Sequence, residues 1–173
     1  FSDTARLDAE VLMAHALGCE RSEMLLRQGD LVAPEAFEAL LERRLGHEPV
    51  AYITGRQAFW DLELKVTPDV LIPRADSETL IDVALEGQAA ARVLDLGTGS
   101  GALLLATLSA SPEARGVGVD ASEKALAVAK ANAERLGFGA RSEWLHRSWR
   151  EDGWRDGLGH FDLILCNPPY VEN

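Results

Sequence analysis

The chain has 173 residues, 47% of them hydrophobic, and a formal net charge of −11. That content fits a folded globular chain rather than a disordered one, and the acidic balance, present both before and after residue 56, lacks the basic footprint that nucleic-acid phosphates require. Cys19 and Cys166 offer no disulfide framework, and neither a membrane-length apolar run nor a signal peptide is visible, so a reducing, cytoplasmic setting is the expectation.

Residues 4–46 read as helices. Leu7, Val11, Ala14 and Leu17 fall on one face, with Gly18 as a stop. Ser22 is a candidate N-cap for a short helix carrying Met24, Leu25 and Leu26. Pro34 suits the first turn of a third helix, where Phe37, Leu40, Leu41 and Leu45 form a stripe. This module offers no evident catalytic group, and a packed bundle and a docking surface both account for it. Arg43 and Arg44 read as the solvated face of their helix. After Pro49 the period changes: Leu62, Leu64 and Val66 alternate with polar neighbours, Thr67-Pro68-Asp69 signals a turn, and Val70-Leu71-Ile72 resumes an extended run, the simplest account being a β-hairpin.

A helix opens at Asp76 or Ser77, with Leu80, Val83 and Ala84 expected inward. Strands follow at 92–96, 116–119, 143–146 and 161–166, separated by helices over 102–108 and from about Ser122 to Gly137, the second with Leu126, Ala129, Ala133 and Leu136 on one face. Strands alternating with helices make this an α/β chain with a parallel sheet. No internal repeat or low-complexity tract is present.

Three features carry chemistry. The first strand of this series runs into Gly97-Thr98-Gly99-Ser100-Gly101 and then a helix, which lets backbone approach a ligand closely. Asp120 stands about twenty positions on, at the end of the next strand, where an acid accepts hydrogen bonds from ribose hydroxyls. Gly97-x-Gly99-x-x-Ala102 also satisfies a loose dinucleotide fingerprint. Asp95, just before the first glycine, favours S-adenosylmethionine instead, because an acid there would repel a pyrophosphate and attract an ammonium group.

The second feature is Asn167-Pro168-Pro169-Tyr170, where a short apolar strand ends at an amide, two prolines and a ring. An amide nitrogen is a poor nucleophile, so its methylation requires aiming at the electrophile and acceptors for its protons. Asn167 offers a side-chain oxygen, Pro168 a backbone carbonyl, and Tyr170 a face on which a planar group stacks. Catalysis of this kind is positioning and dry electrostatics, with no general base. The third feature is Trp149, an aromatic suited to covering an adenine ring, with Trp144 and Trp154 as competitors. His15, His47, His146 and His160 show no metal spacing with the cysteines, so no metal is expected; Cys166 reads as a small buried residue.

Together these residues resemble the HemK/PrmC family of release-factor glutamine methyltransferases. The resemblance runs from about Arg43 to Tyr170, through Arg44-x-x-Gly46-x-x-Pro49-x-x-Tyr52-Ile53-x-Gly55, Phe59, Val70-Leu71-Ile72-Pro73-Arg74, the glycine turn with Asp95, and Asn167-Pro168-Pro169-Tyr170. Most methyltransferases of this fold share the glycine turn, and Asn-Pro-Pro-Tyr also occurs in nucleic-acid base methyltransferases. The Tyr-Ile-x-Gly and Ile-Pro-Arg segments are the specific ones.

The resemblance implies a Rossmann-like methyltransferase domain over 76–173, a helical substrate-docking domain over 1–49 and a β-hairpin linker over 50–75. It implies methyl transfer from S-adenosylmethionine to the glutamine of a Gly-Gly-Gln motif in peptide chain release factors, by a protein that is monomeric at full length. By position, Gly97, Thr98, Gly99, Ser100, Gly101, Asp120, Trp149 and Asn167 would meet the cofactor, and Asn167, Pro168, Pro169 and Tyr170 would hold the glutamine amide. Where the family continues Pro-Glu/Asp-Thr-Glu after Ile-Pro-Arg, this chain has Ala75-Asp76-Ser77-Glu78, which keeps the acids and loses a proline. The family's last three strands are absent from these 173 residues, so the chain reads as a fragment, expected to be poorly stable and inactive alone. A ribosomal-protein glutamine methyltransferase, a nucleic-acid base methyltransferase and a non-catalytic binding domain are the competing readings.

Overall fold

The computed structural model describes residues 4–27, 29, 31–87 and 89–167; Pro168, Pro169 and Tyr170 lie outside them. The chain forms two compact units, Phe1–Gly55 and Arg56–Asn173.

The first unit is helical: α1 (Ala5–Leu17), α2 (Arg21–Leu26), α3 (Ala36–Leu45) and α4 (Val50–Thr54). Leu12, Ala14, Met24, Ala51 and Ile53 are buried. Leu7 is 45% exposed, so the inward stripe of α1 differs from the apolar one read in the sequence. The reason is Glu10, a buried carboxylate that takes an inward place because Arg6 and Arg21 hydrogen-bond to it at 2.8 and 2.9 Å. α2 starts at Arg21 with Glu20 as its cap residue, so Ser22 lies inside it. Arg43 and Arg44 are not simply solvated. Arg43 forks onto Glu48 at 2.7 and 2.6 Å, and Arg44 meets Asp8 of α1 at 2.9 Å.

The second unit opens with an antiparallel hairpin, β1 (Arg56–Phe59) and β2 (Leu62–Lys65), in which Phe59 pairs with Leu62 across a Trp60-Asp61 tip. This corrects the expected pairing about Thr67: Val70-Leu71-Ile72 is not a strand. Pro68 and Pro73 bracket that run without N–H donors, whereas 56–59 brings a full set to the ladder. α5 (Glu78–Glu86), entered through a 3₁₀ turn at Ala75–Ser77, buries Ile81 completely and leaves Leu80 and Val83 exposed, one step round from the expected face.

Four parallel strands then form one sheet: β3 (Arg92–Leu96), β4 (Arg115–Asp120), β5 (Ser142–His146) and β6 (Leu163–Cys166), in the order β5-β4-β3-β6. The chain steps outward from β3 to β5 and then returns to the other side of β3. That reversal leaves a crevice beyond the carboxyl ends of β3 and β6, where open α/β sheets bind ligands. The register is level there, with Leu96 opposite both Val119 and Cys166, so Gly97, Asp120 and Asn167 emerge together. α6 (Ala102–Ala110) has no polar face and is buried on every side, with Leu104, Leu105, Ala106 and Leu108 fully covered. α7 (Glu123–Arg135) is capped by Ser122, whose hydroxyl accepts from the Ala125 N–H at 3.2 Å. Cys166 is exposed rather than buried. On β6 the alternation turns Leu165 inward and leaves Ile164 and Cys166 out.

Candidate active site

A cleft of about 630 Å³ opens at these strand ends. It gathers Gly97, Thr98, Gly99, Ser100, Asp120, Trp149 and Asn167 from the residues singled out in the sequence, together with Asp95. Gly101 is not in its wall; it is the residue from which α6 starts.

The glycine turn is pinned to the neighbouring strand, since the N–H groups of Gly97 and Thr98 both donate to the Val119 carbonyl, at 2.8 and 3.1 Å. Gly97 has φ +72°, and a Cβ there would stand 3.3 Å from the Trp149 ring. The backbone conformation is one that favours glycine, and a Cβ would also press on the ring. Asp120 closes the far side of the turn: one carboxylate oxygen accepts from the Gly99 N–H at 2.9 Å and the other from the Ser122 N–H at 2.9 Å. Each oxygen keeps further acceptor capacity, and Asp120 lines the cleft.

Asp95 is 1% exposed. Its Oδ2 accepts from the Thr98 hydroxyl at 2.6 Å, and its Oδ1 is buried with no hydrogen-bond partner among the described residues. Burial pushes its carboxyl up to about 6; the Thr98 hydroxyl and the Leu104 N–H pull the other way, and the Asp120 charge adds to the rise. Asn167 donates from Nδ2 to the Ser77 hydroxyl at 2.8 Å.

Of the three competing tryptophans, Trp149 alone lines the cleft. Trp144 packs on the main core beneath Gly118, and Trp154 on a smaller cluster with Leu94, Val117 and Val119. The structure adds a wall that residue-type reasoning missed: Phe59, the run Asp69 to Arg74, and Ser77. The sequence signal for it lay in the resemblance, which ran through Phe59, Val70-Leu71-Ile72-Pro73-Arg74 and the Ala75–Glu78 segment, with no role attached to them. Asn132 was missed as well. Completely buried on α7, its amide bonds the Lys65 N–H at 2.7 Å, the Lys65 carbonyl at 3.0 Å and the Ser100 carbonyl at 3.0 Å, tying β2 to the glycine turn.

Residues 75–173 match the family model described as "Methyltransferase small domain". The chain belongs to that family. In this chain the preceding residues, 2–55, match the "PrmC N-terminal domain", and the two matches together bear out the HemK/PrmC resemblance. Among curated relatives, the release factor glutamine methyltransferase of Aliivibrio fischeri is 43% identical over 179 residues, covering 99% of this chain and 61% of that protein. The protein of the same name from Bordetella pertussis is 44% identical over 172 residues, covering 96% of this chain and 62% of its own length. The chain thus spans about three fifths of these relatives. Among solved structures, TrmN from Thermus thermophilus overlaps partially, with TM-score 0.48 and 29% identity over 55% of this chain and 28% of that one.

Proposed function

We propose that the whole protein is an S-adenosylmethionine-dependent methyltransferase that modifies the side-chain amide nitrogen of the glutamine in the Gly-Gly-Gln motif of release factors. The observation that carries this reading is the pairing, in one cleft, of an unsatisfied buried carboxylate at Asp95 with the Asn167 amide on the adjacent strand end. A buried acceptor with no donor is suited to an ammonium group, and Asp120 to a ribose. The residues present therefore fit a nucleoside that carries an amino acid. Bound there, S-adenosylmethionine supplies an electrophilic methyl group.

The residues divide into two sides. On the donor side, Gly97, Thr98, Gly99 and Ser100 bring backbone close, with Gly101 starting α6 behind them, Asp120 takes the ribose hydroxyls, Asp95 takes the ammonium, and Trp149 covers the adenine. On the acceptor side, the Asn167 side-chain oxygen accepts a hydrogen bond from the glutamine amide N–H and so aims its nitrogen. The residue types of the same turn add the Pro168 carbonyl as a second acceptor and the Tyr170 ring as a face for the amide plane, and the family resemblance implies that the whole Asn167–Tyr170 turn, Pro169 included, holds the glutamine amide. Rate enhancement comes from holding the amide in line in a water-poor place. The names of the curated relatives support release factors as the substrate, and residues 2–55, with their PrmC N-terminal match, are the part we assign to docking them.

A tritiated-methyl assay with a release factor, DNA and RNA side by side tests the proposal. Label is expected on the release factor and absent from it when the motif glutamine is replaced. Label on nucleic acid alone would favour base methylation, and label on nothing a binding domain.

A further inference from the structure

Trp149 is 42% exposed, and its ring stands beside the glycine turn, 3.3 Å from the place of a Cβ on Gly97. With so much of the ring in solvent, its own packing holds it weakly. It sits in the connection from β5 to β6, residues 147–162, which contains neither helix nor strand. Glycines at 153, 157 and 159 give the returning half of that connection little backbone preference of its own. The far end is anchored by burial, since Leu158 and Trp154 join the cluster of Leu94, Val117 and Val119. The near end is anchored by pairing, since the Arg147 N–H donates to the Asp120 carbonyl at 3.0 Å.

The Arg147 side chain joins these two ends. It is half-buried, and its Nη1 donates to the Trp154 carbonyl at 2.7 Å and to the Asp156 carbonyl at 2.8 Å. Bonds from a cation to carbonyls are stronger than those between neutral groups. The loop also makes local turns, in which the Glu151 N–H donates to the Ser148 carbonyl at 3.0 Å and the Asp156 N–H to the Gly153 carbonyl at 2.9 Å. Those fix near neighbours, whereas Arg147 closes the stretch of chain that contains Trp149. We infer that Arg147 is a positioning residue for the adenine-covering ring: by bonding the Trp154 and Asp156 carbonyls it draws the returning half of the loop against the end of β5 and holds Trp149 beside Gly97. The inference rests on the reading of the cleft as a nucleoside cofactor site and names what sets its aromatic face. Ser148 and Trp149 line the cleft and Arg147 does not, so its effect passes through the ring.

The test is a double-mutant cycle in the whole protein, read as S-adenosylhomocysteine affinity by calorimetric titration. Arg147→Met keeps a long side chain and removes its donors. It is expected to weaken binding by about fivefold, the scale of one base–aromatic contact. In a Trp149→Ala background the same change is expected to cost less than about twofold, because the ring it positions is gone. A structural role alone lowers affinity equally with and without Trp149. Arg147→Lys is expected to stay within about twofold of the wild type, since one nitrogen makes both bonds and an ammonium offers three donors. Independently of ligand, the fluorine resonance of Trp149 in fluorotryptophan-labelled protein, assigned by its loss in Trp149→Phe, is expected to shift or broaden in Arg147→Met and to stay in place in Arg147→Lys. Unchanged affinity in Arg147→Met, an equal loss in both backgrounds, a loss that Lys shares, or an unmoved fluorine resonance overturns the inference. If Arg147→Met does not fold, Arg147→Gln, whose shorter amide does not reach both carbonyls, takes its place in the cycle. If the wild-type protein binds no S-adenosylhomocysteine, the cofactor reading fails by itself, and the fluorine resonance alone decides whether Arg147 holds Trp149.

Discussion

Asp95 is a carboxylate held out of water, with one oxygen bonded and one not. Its folded-state carboxyl is pushed up to about 6 from 3.8, so the folded chain binds this proton more tightly than the unfolded chain. The stability it contributes is therefore fully present below 3.8 and lost as pH rises through about 6, on the order of 3 kcal/mol in all. A bound ammonium reverses the preference. Cofactor affinity is accordingly expected to fall below pH 6, by up to about tenfold per pH unit. Asp95→Asn should flatten that dependence and raise the melting temperature of the ligand-free protein at pH 8, as read by calorimetric titration and thermal melts. At the same scale, Asp120→Ala removes the acceptor for the Gly99 and Ser122 N–H groups and should weaken S-adenosylhomocysteine binding by more than about tenfold. Asn167→Ala should instead cut methyl transfer by about a hundredfold and leave that binding within about threefold. Normal turnover by Asn167→Ala would dismiss the amide clamp.

Among the elements, the glycine turn depends on what lies beneath and behind it. A Cβ at Gly118 on β4 would meet the Trp144 ring at 2.5 Å and the Thr98 methyl at 3.1 Å, so the strand has no room for a side chain under the turn. Gly118→Ala should destabilise the chain by about 1–3 kcal/mol in denaturant melts. By displacing Thr98 it should also lower cofactor affinity. Asn132 fastens the turn from the α7 side, and Asn132→Ala should cost about 2–3 kcal/mol by stranding the Lys65 N–H and two carbonyls. The helical stripe of α7 was legible because Leu126, Ala129 and Ala133 recur at the helical period and are buried. Asn132 beside them was not, because a polar residue in a helix reads as solvated until its partners, on elements distant in sequence, are in place. The same holds for Glu10, whose inward place depends on Arg21 in α2. The hairpin register also escaped the sequence: alternation marks strands but does not choose between two candidate partners.

In the molecule as a whole, the order of the strands makes the site. β3 carries the glycine turn, β4 ends at Asp120, and β6 delivers Asn167 on the other side of β3. The described residues that line the cleft all belong to the unit Arg56–Asn173. Deleting residues 1–55 from the whole protein is therefore expected to leave S-adenosylhomocysteine affinity within about threefold, while methyl transfer to a release factor falls; a tenfold loss of affinity would contradict this division. The helices and parallel strands after residue 76, the glycine turn, Asp120 and the Asn-Pro-Pro-Tyr segment follow from local pattern, because each is dictated by neighbours along the chain (period, backbone freedom, a missing N–H), whereas within the expected hairpin linker 50–54 is helical and 70–72 is no strand. The tertiary structure alone decides which tryptophan faces the cleft, that Asp95 is dry, that Ser77 meets Asn167 and that Asn132 ties a hairpin to the turn. Those properties arise from burial and from partners far apart in sequence, and desolvation and hydrogen bonding between remote residues have no signature along a single strand or helix.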